Sequence, residues 1–351
     1  MVKAAGASAG VRHTIAYEVF KLSFNNIKGQ REVINGLASS IKNDRVAHAY
    51  VFTGPKGIGK RTVARLFAGT LLCTCRTDME SCGNCPSCGT YIEGSNPDFF
   101  VIEQEKSAIG IEEIRGIQSS ILVKPLYSER KVYLIADAEN MTVQAQNCLL
   151  KILEEPPAYA VIILTASNYK ALMETIRSRT LRYNFRKNTP SEVRTVLADR
   201  LGENNPRLDF LASYADGVIG AALQIADSEE FASLRDSAMD IFMKLSVKAS
   251  LSDVFRAYDF FESNKESADI IFDAMLLFCR DLLVFKNTGK EKMLINSDKR
   301  DIILNSAYKF TSQKLVNSIE EIEKARRSIA QNASFQLSVE VMLMRLQEEY
   351  N

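Results

Sequence analysis

Between about residues 49 and 185, short apolar runs alternate with longer stretches in which apolar positions recur every three or four residues. The runs at 49–53, 99–103, 131–136 and 160–165 are apolar over four or five positions and are bounded by polar, Gly or Pro residues. Consecutive apolar positions are what a strand covered on both faces requires. Strands alternating with helices therefore predict an α/β domain, a parallel sheet with helices on both faces. Beyond Phe185 the strand pattern stops. Thr189-Pro190-Ser191-Glu192 sets a hydroxyl residue and an acid at a helix start, and the remaining chain reads as successive amphipathic helices. The patterns predict an extension over 1–21, the α/β domain over 22–186, a small helical domain over 187–228 and an all-α domain over 229–351. The last break is placed at Ala226-Asp227-Ser228-Glu229.

Composition narrows the class. A chain of 351 residues that is 46% hydrophobic and 25% charged is an ordinary globular protein, and no apolar run approaches the ~18 residues that a membrane helix needs. The first twenty residues contain no apolar core segment, so they do not read as a secretory signal, and a cytoplasmic protein without a membrane partner is expected. A net charge of +1 removes whole-molecule attraction to DNA as the main binding force. Five of the seven cysteines lie between Cys73 and Cys88, a clustering that favours a metal site over disulfides.

Gly54-Pro55-Lys56-Gly57-Ile58-Gly59-Lys60 follows the first strand and precedes a helical run. That is the context of a phosphate-cradling loop: Gly54, Gly57 and Gly59 let backbone N–H groups face phosphate oxygens, and Lys60 reaches the outer phosphates. The hydroxyl residue that should follow the lysine and hold Mg²⁺ is replaced by Arg61, with Thr62 one position late. The strand at 131–136 should end in an Asp-Glu pair that holds the metal and polarises water. In that register Ala136 replaces the aspartate and Asp137 the glutamate; slipped by one, Asp137 becomes the metal ligand. ATP can still be expected to bind, but with both Mg²⁺ contacts weakened hydrolysis loses its main electrostatic stabilisation.

Cys73, Cys82, Cys85 and Cys88 are separated by eight, two and two residues. Two overlapping Cys-x-x-Cys steps bring three thiolates onto one knuckle, and Cys73 or Cys75 can supply the fourth corner of a structural zinc tetrahedron. Cys148 and Cys279 lie on apolar helical faces and read as core thiols. Arg179, in Ser178-Arg179-Thr180 at the edge of the α/β domain, is either a solvated helix-end residue or an arginine that reaches a neighbour's nucleotide.

Together these stretches resemble the bacterial clamp-loader subunits of the AAA+ class, which comprise the ATPase gamma/tau type and its delta-prime relatives. The resemblance is carried by Phe24-Asn25-Asn26-Ile27-Lys28-Gly29-Gln30, Ala47-His48-Ala49-Tyr50-Val51-Phe52, the P-loop, the cysteine knuckle and Asn147-Cys148-Leu149-Leu150-Lys151-Ile152-Leu153-Glu154-Glu155-Pro156-Pro157. Ser178-Arg179-Thr180 is similar to the family's Ser-Arg-Cys motif, and residues 332–346 to the last helix of its collar domain. The resemblance implies an AAA+ domain, a helical lid and a helical collar in a five-part ring that loads a sliding clamp onto primed DNA. It implies zinc on Cys73, Cys82, Cys85 and Cys88. It also implies an arginine of the hydrolysing type where this chain has Gly220. With Arg61, Ala136 and Gly220 all departing from the ATPase pattern, the delta-prime role is expected: no turnover alone, Arg179 offered to an adjacent gamma/tau subunit, and a delta subunit in the same ring. The alternative is an active gamma/tau-type ATPase in which Thr62 or Asp137 compensates. A zinc-bearing nucleic-acid module is disfavoured, because Asp78, Glu80 and Asn84 occupy the knuckle where basic and aromatic residues would be needed.

Overall fold

The computed structural model describes residues 23–77, 79–104, 108–247 and 250–347; the extension read at 1–21 and Asp78 lie outside them. The described residues fall into two compact units, the first within Met1–Val193 and Asp216–Gly220, the second within Arg194–Ala215 and Ala221–Asn351.

The first unit is built on a parallel sheet of β1 (Ala49–Thr53), β2 (Phe99–Ile102), β3 (Lys131–Ile135), β4 (Ala160–Ala166) and β5 (Leu181–Asn184), in the order β2-β3-β4-β1-β5. Strands β1, β3 and β4 are buried at every position, which is why they read as unbroken apolar runs. Their side chains alternate between two cores. On one face Tyr50, Phe52, Val132, Leu134, Val161 and Ile163 pack with α1 (Arg31–Lys42) and α2 (Lys60–Leu72) through residues such as Leu37 and Phe67. On the other, Val51, Tyr133, Ile135, Ile162 and Leu164 pack with α4 (Ile111–Ile121) and α5 (Val143–Glu154) through Ile117 and Leu149. Between them in sequence, α3 (Pro86–Ile92) closes the cysteine insertion, and the short α6 (Glu174–Arg177) precedes β5.

Strand β5 is the element that the apolar pattern did not reveal. It is an edge strand, paired only with β1 through Val51↔Arg182 and its neighbours, and three of its four residues are exposed. An edge strand needs no apolar alternation, because water satisfies its free side. The helix opening at Thr189 forms as read: in α7 (Pro190–Leu201) the Thr189 N–H donates to Glu192 Oε2 at 2.8 Å, and the Glu192 N–H donates to Thr189 Oγ1 at 3.3 Å.

The second unit is helical: α8 (Leu208–Tyr214), α10 (Glu229–Val247), α11 (Leu251–Ser263), α12 (Ala268–Thr288), α13 (Arg300–Ser306), α14 (Ser312–Ala330) and α15 (Phe335–Gln347). Helix α9 (Ile219–Ala226) contains a point where the chain passes between units. Buried Phe242, Phe261, Phe272, Phe278 and Leu343 anchor this core. Helices α11 and α15 pack together, yet Leu251, Phe255, Leu337, Val341 and Met344 are exposed on them. Spacings of four, four and three along the two helices place these side chains in stripes. Among the described residues no helix is long and apolar enough to cross a membrane.

One buried carboxylate fixes the loop that leads into β3. Asp98, 1% exposed, accepts the N–H groups of Leu126, Tyr127 and Ser128 at 2.8, 2.8 and 3.1 Å. Nearby, the buried Lys131 ammonium donates to the carbonyls of Ser120 and Val123. Asp98→Ala strands three amide donors, and is expected to destabilise the protein by about 3 kcal/mol. The check is the urea midpoint, and Asp98→Asn, which keeps an acceptor oxygen, should lose less.

Candidate nucleotide and metal sites

The phosphate loop lies where β1 runs into α2, at the carboxyl ends of the parallel strands where ligands of such sheets bind. Gly54, Gly57 and Gly59 all have positive φ, at 148°, 78° and 101°. At Gly54 a Cβ would sit 2.5 Å from the Phe185 carbonyl, so glycine is required there by space as well as by φ. The first N–H groups of α2 have no intrahelical acceptor, which suits a helix start to an anion.

Lys60 is hydrogen-bonded to the loop itself. Its Nζ donates to the carbonyls of Gly54 and Pro55 at 2.6 and 2.8 Å, and to Ser167 Oγ at 3.1 Å. Burial lowers the pKa of this ammonium, with Asp137 and Glu139 acting against the shift. Arg61 forms an ion pair with Asp137, whose backbone takes a left-handed φ of 48° and donates its N–H to Thr165 Oγ1 at 3.1 Å. Ala136 is 1% exposed and offers no ligand. Thr62 is half-buried one turn position further on. Glu139 accepts the Ser167 N–H at 2.8 Å through one oxygen, and its other oxygen is buried without a partner among the described residues.

Gly220 reaches this loop as well. Its N–H donates to the Gly57 carbonyl at 2.9 Å, and a Cβ on Gly220 would lie 2.6 Å from that oxygen. The preceding turn is held by the Asn188 N–H on the Gly217 carbonyl at 2.9 Å and by a Lys187–Asp216 ion pair. The structure thus gathers Gly54, Gly57, Gly59, Lys60, Arg61, Asp137 and Gly220, and adds Thr165 and Ser167, which the sequence reading missed. Both end the β4 run, next to β1 in the sheet, and that position was the available signal.

Arg179 lies apart from this loop, just past α6. Its guanidinium is 37% exposed and pairs with Glu154 at 3.1 Å, while Nη1 donates to the Thr175 carbonyl at 3.1 Å.

The cysteine knuckle sits at the opposite end of α2. Cys73 caps that helix and Cys85 caps α3. The sulfur atoms of Cys73, Cys82, Cys85 and Cys88 all lie within 4.8 Å of one another, and the Cys73–Cys85 and Cys82–Cys88 separations are both 4.0 Å. A tetrahedron with metal–sulfur bonds of ~2.3 Å has edges of about 3.8 Å, so the four sulfurs fit a tetrahedral ion. Backbone N–H groups of Cys82, Cys85 and Cys88 donate to the sulfurs of Cys73, Cys82 and Cys85 in turn, an arrangement that favours thiolates. The Asn84 and Cys85 N–H groups hold the Cys82 thiol below its ordinary range, while burial raises Cys73 and Cys88. Cys75 is exposed and outside the cluster. Cys279 is fully buried, and Cys148 is half-buried against the α/β core.

Two family descriptions match the chain: "DNA polymerase III, delta subunit" over residues 29–189, and "DNA polymerase III, delta subunit, C terminal" over residues 230–348. The chain is 29% identical over 323 residues to DNA polymerase III subunit delta' of Bacillus subtilis, which covers 91% of this chain and 96% of that one. It is 26% identical over 353 residues to subunit tau of the same organism, covering 94% of this chain but 62% of tau. It is 33% identical over 210 residues to subunit tau/gamma of Haemophilus influenzae, covering 58% of this chain and 30% of that protein.

The knuckle generates a direct test. Cys82→Ser is expected to abolish binding of one metal ion per chain and to lower the melting temperature by several degrees, because metal binding stabilises only the folded knuckle. Cys75→Ser should leave both unchanged. Elemental analysis and thermal melts of the two variants decide it.

Proposed function

Because the chain belongs to the clamp-loader family of bacterial DNA polymerase III delta-type subunits, we propose that it is a delta-prime-type subunit that does not hydrolyse ATP and serves the ATP site of a neighbouring subunit. The observation that carries this reading is the Arg61–Asp137 ion pair. Phosphoryl transfer in P-loop proteins depends on Mg²⁺ held by a loop hydroxyl and a strand-end carboxylate. Here the first position is a guanidinium, the second is Ala136, and the nearest remaining carboxylate is already paired. Two unit charges 4 Å apart interact by about 4 kcal/mol near a protein surface, so a divalent cation beside Arg61 would meet several kcal/mol of repulsion.

Arg179 is the group offered in trans. It stands on a turn at the domain edge, half-exposed and held by one carboxylate and one carbonyl, contacts that a phosphate with its higher charge can displace. The four thiolates take zinc: soft sulfur donors in a closed tetrahedron select it and leave no open position for catalysis. Residues 187–228 and 229–351 act as lid and collar. The exposed stripes of Leu251 and Phe255 on α11, and of Leu337, Val341 and Met344 on α15, supply the apolar surface that a collar of several subunits requires. The partners are gamma/tau and delta subunits in a ring of five, which together load the sliding clamp onto primed DNA.

ATP turnover tests this. The chain alone is expected to be inactive, and to stimulate turnover when gamma/tau, delta, clamp and primed DNA are added. Arg179→Ala should remove the stimulation at the site it serves, where an arginine finger is worth on the order of 10³ in rate, with assembly intact. Mg²⁺-dependent turnover by the isolated chain, lost in Lys60→Ala, would overturn the proposal and make this the ATPase subunit.

A further inference from the structure

The turn that carries Arg179 is bracketed by two other arginines that share one aromatic ring. Arg177, the last residue of α6, has its guanidinium carbon 5.5 Å from the centre of the Tyr169 ring, and Arg182, the second residue of β5, lies 4.1 Å from the same centre. Residues 178–181 span the gap between them. Tyr169 is itself fixed. It is half-buried against the α/β core and opens a 3-10 turn over Tyr169–Ala171, which Asn168 caps by accepting the Lys170 N–H at 3.2 Å.

The two arginines are poorly provided for in other ways. Arg177 Nε is buried with no hydrogen-bond partner among the described residues, so the ring face is its counterpart. Arg182 donates through Nε to Thr53 Oγ1 at 3.1 Å, and Thr53 is the last residue of β1 before Gly54. Two like charges set against one ring are an arrangement that folding alone does not require. Each is attracted to the negative face of the ring, and together they tie both flanks of the turn to the ends of β4 and β1.

We infer that Tyr169 is a positioning residue for Arg179: through Arg177 and Arg182 it fixes the place and direction from which Arg179 leaves the domain edge. The inference rests on the trans-acting reading of Arg179 given above. A guanidinium on a long side chain stabilises transferring phosphate only if its base is held, and a displacement of about 1 Å at such a group costs on the order of 10²-fold in rate. Glu154 and the Thr175 carbonyl hold the tip of Arg179 in the free chain; Tyr169 holds the two flanks of its turn through Arg177 and Arg182, contacts that need not break when the tip moves to phosphate.

The test uses the complete complex with gamma/tau, delta, clamp and primed DNA. Tyr169→Leu, which removes the ring but keeps an apolar side chain against the core, is expected to lower stimulated kcat about ten-fold, with KM for ATP within about two-fold and assembly by gel filtration unchanged. Tyr169→Phe keeps the ring face and should behave as wild type, a rescue that mere loss of packing would not predict. Wild-type kcat in Tyr169→Leu, or equal loss in Tyr169→Phe, overturns the positioning role. Should Tyr169→Leu not assemble, Arg182→Met decides the question: a loss of about three-fold or more in kcat supports the role, and no loss overturns it. Arg179→Ala is run in parallel. If it retains full turnover, the trans-acting reading falls and this inference with it; if it is inactive while Tyr169→Leu is not, only the positioning role fails.

Discussion

The arrangement at the head of the sheet depends on one buried charge. Lys60 is 4% exposed, and an ammonium taken out of water costs several kcal/mol unless its donors are met. Three oxygens meet them: two carbonyls of its own loop and the Ser167 hydroxyl at the end of β4. The loop must curl over the lysine for this to happen, and the positive φ values of Gly54, Gly57 and Gly59 allow the curl. Arg61 repeats the device one residue later by pairing with Asp137 beyond β3. The start of α2 is therefore fastened to the ends of β3 and β4 by two side-chain cations.

The same helix separates the two chemistries of the first unit. Helix α2 is 13 residues long, which at 1.5 Å per residue sets its ends about 20 Å apart. The loop lies at one end and the thiolate knuckle at the other. An ion held there would be too distant to polarise a phosphate, and would serve to close the segment between α2 and β2. Asp98, at the foot of β2, serves the neighbouring loop in a comparable way by gathering three amide groups on one carboxylate.

Legibility in the sequence followed burial. Strands β1, β3 and β4 lie between two helical layers, so both faces had to be apolar and their limits could be read to within a residue. Strand β5 escaped because Leu181-Arg182-Tyr183-Asn184 faces solvent along much of its length, and the partner that defines it, β1, is 131 positions away in the chain. The P-loop and the cysteine pattern were legible because spacing itself carries the chemistry. The Cys73 and Cys75 alternatives could not be separated by spacing, since both lie at the end of one helix; the fold separates them by pointing one into the cluster and leaving the other in water. Thr165, Ser167 and the Tyr169 ring were invisible for a different reason. Their contacts, with Asp137 beyond β3, Lys60 beyond β1 and Arg182 on β5, arise only when the sheet is assembled, and no local pattern records those adjacencies.

Gly220 limits what the start of α9 can carry. Its N–H rests on the Gly57 carbonyl, and the first carbon of any side chain would arrive 2.6 Å from that oxygen. Any residue larger than glycine at this position therefore requires one of the two main-chain segments to move first, so the contact sets the spacing between the phosphate loop and the start of α9 as firmly as a covalent tether would.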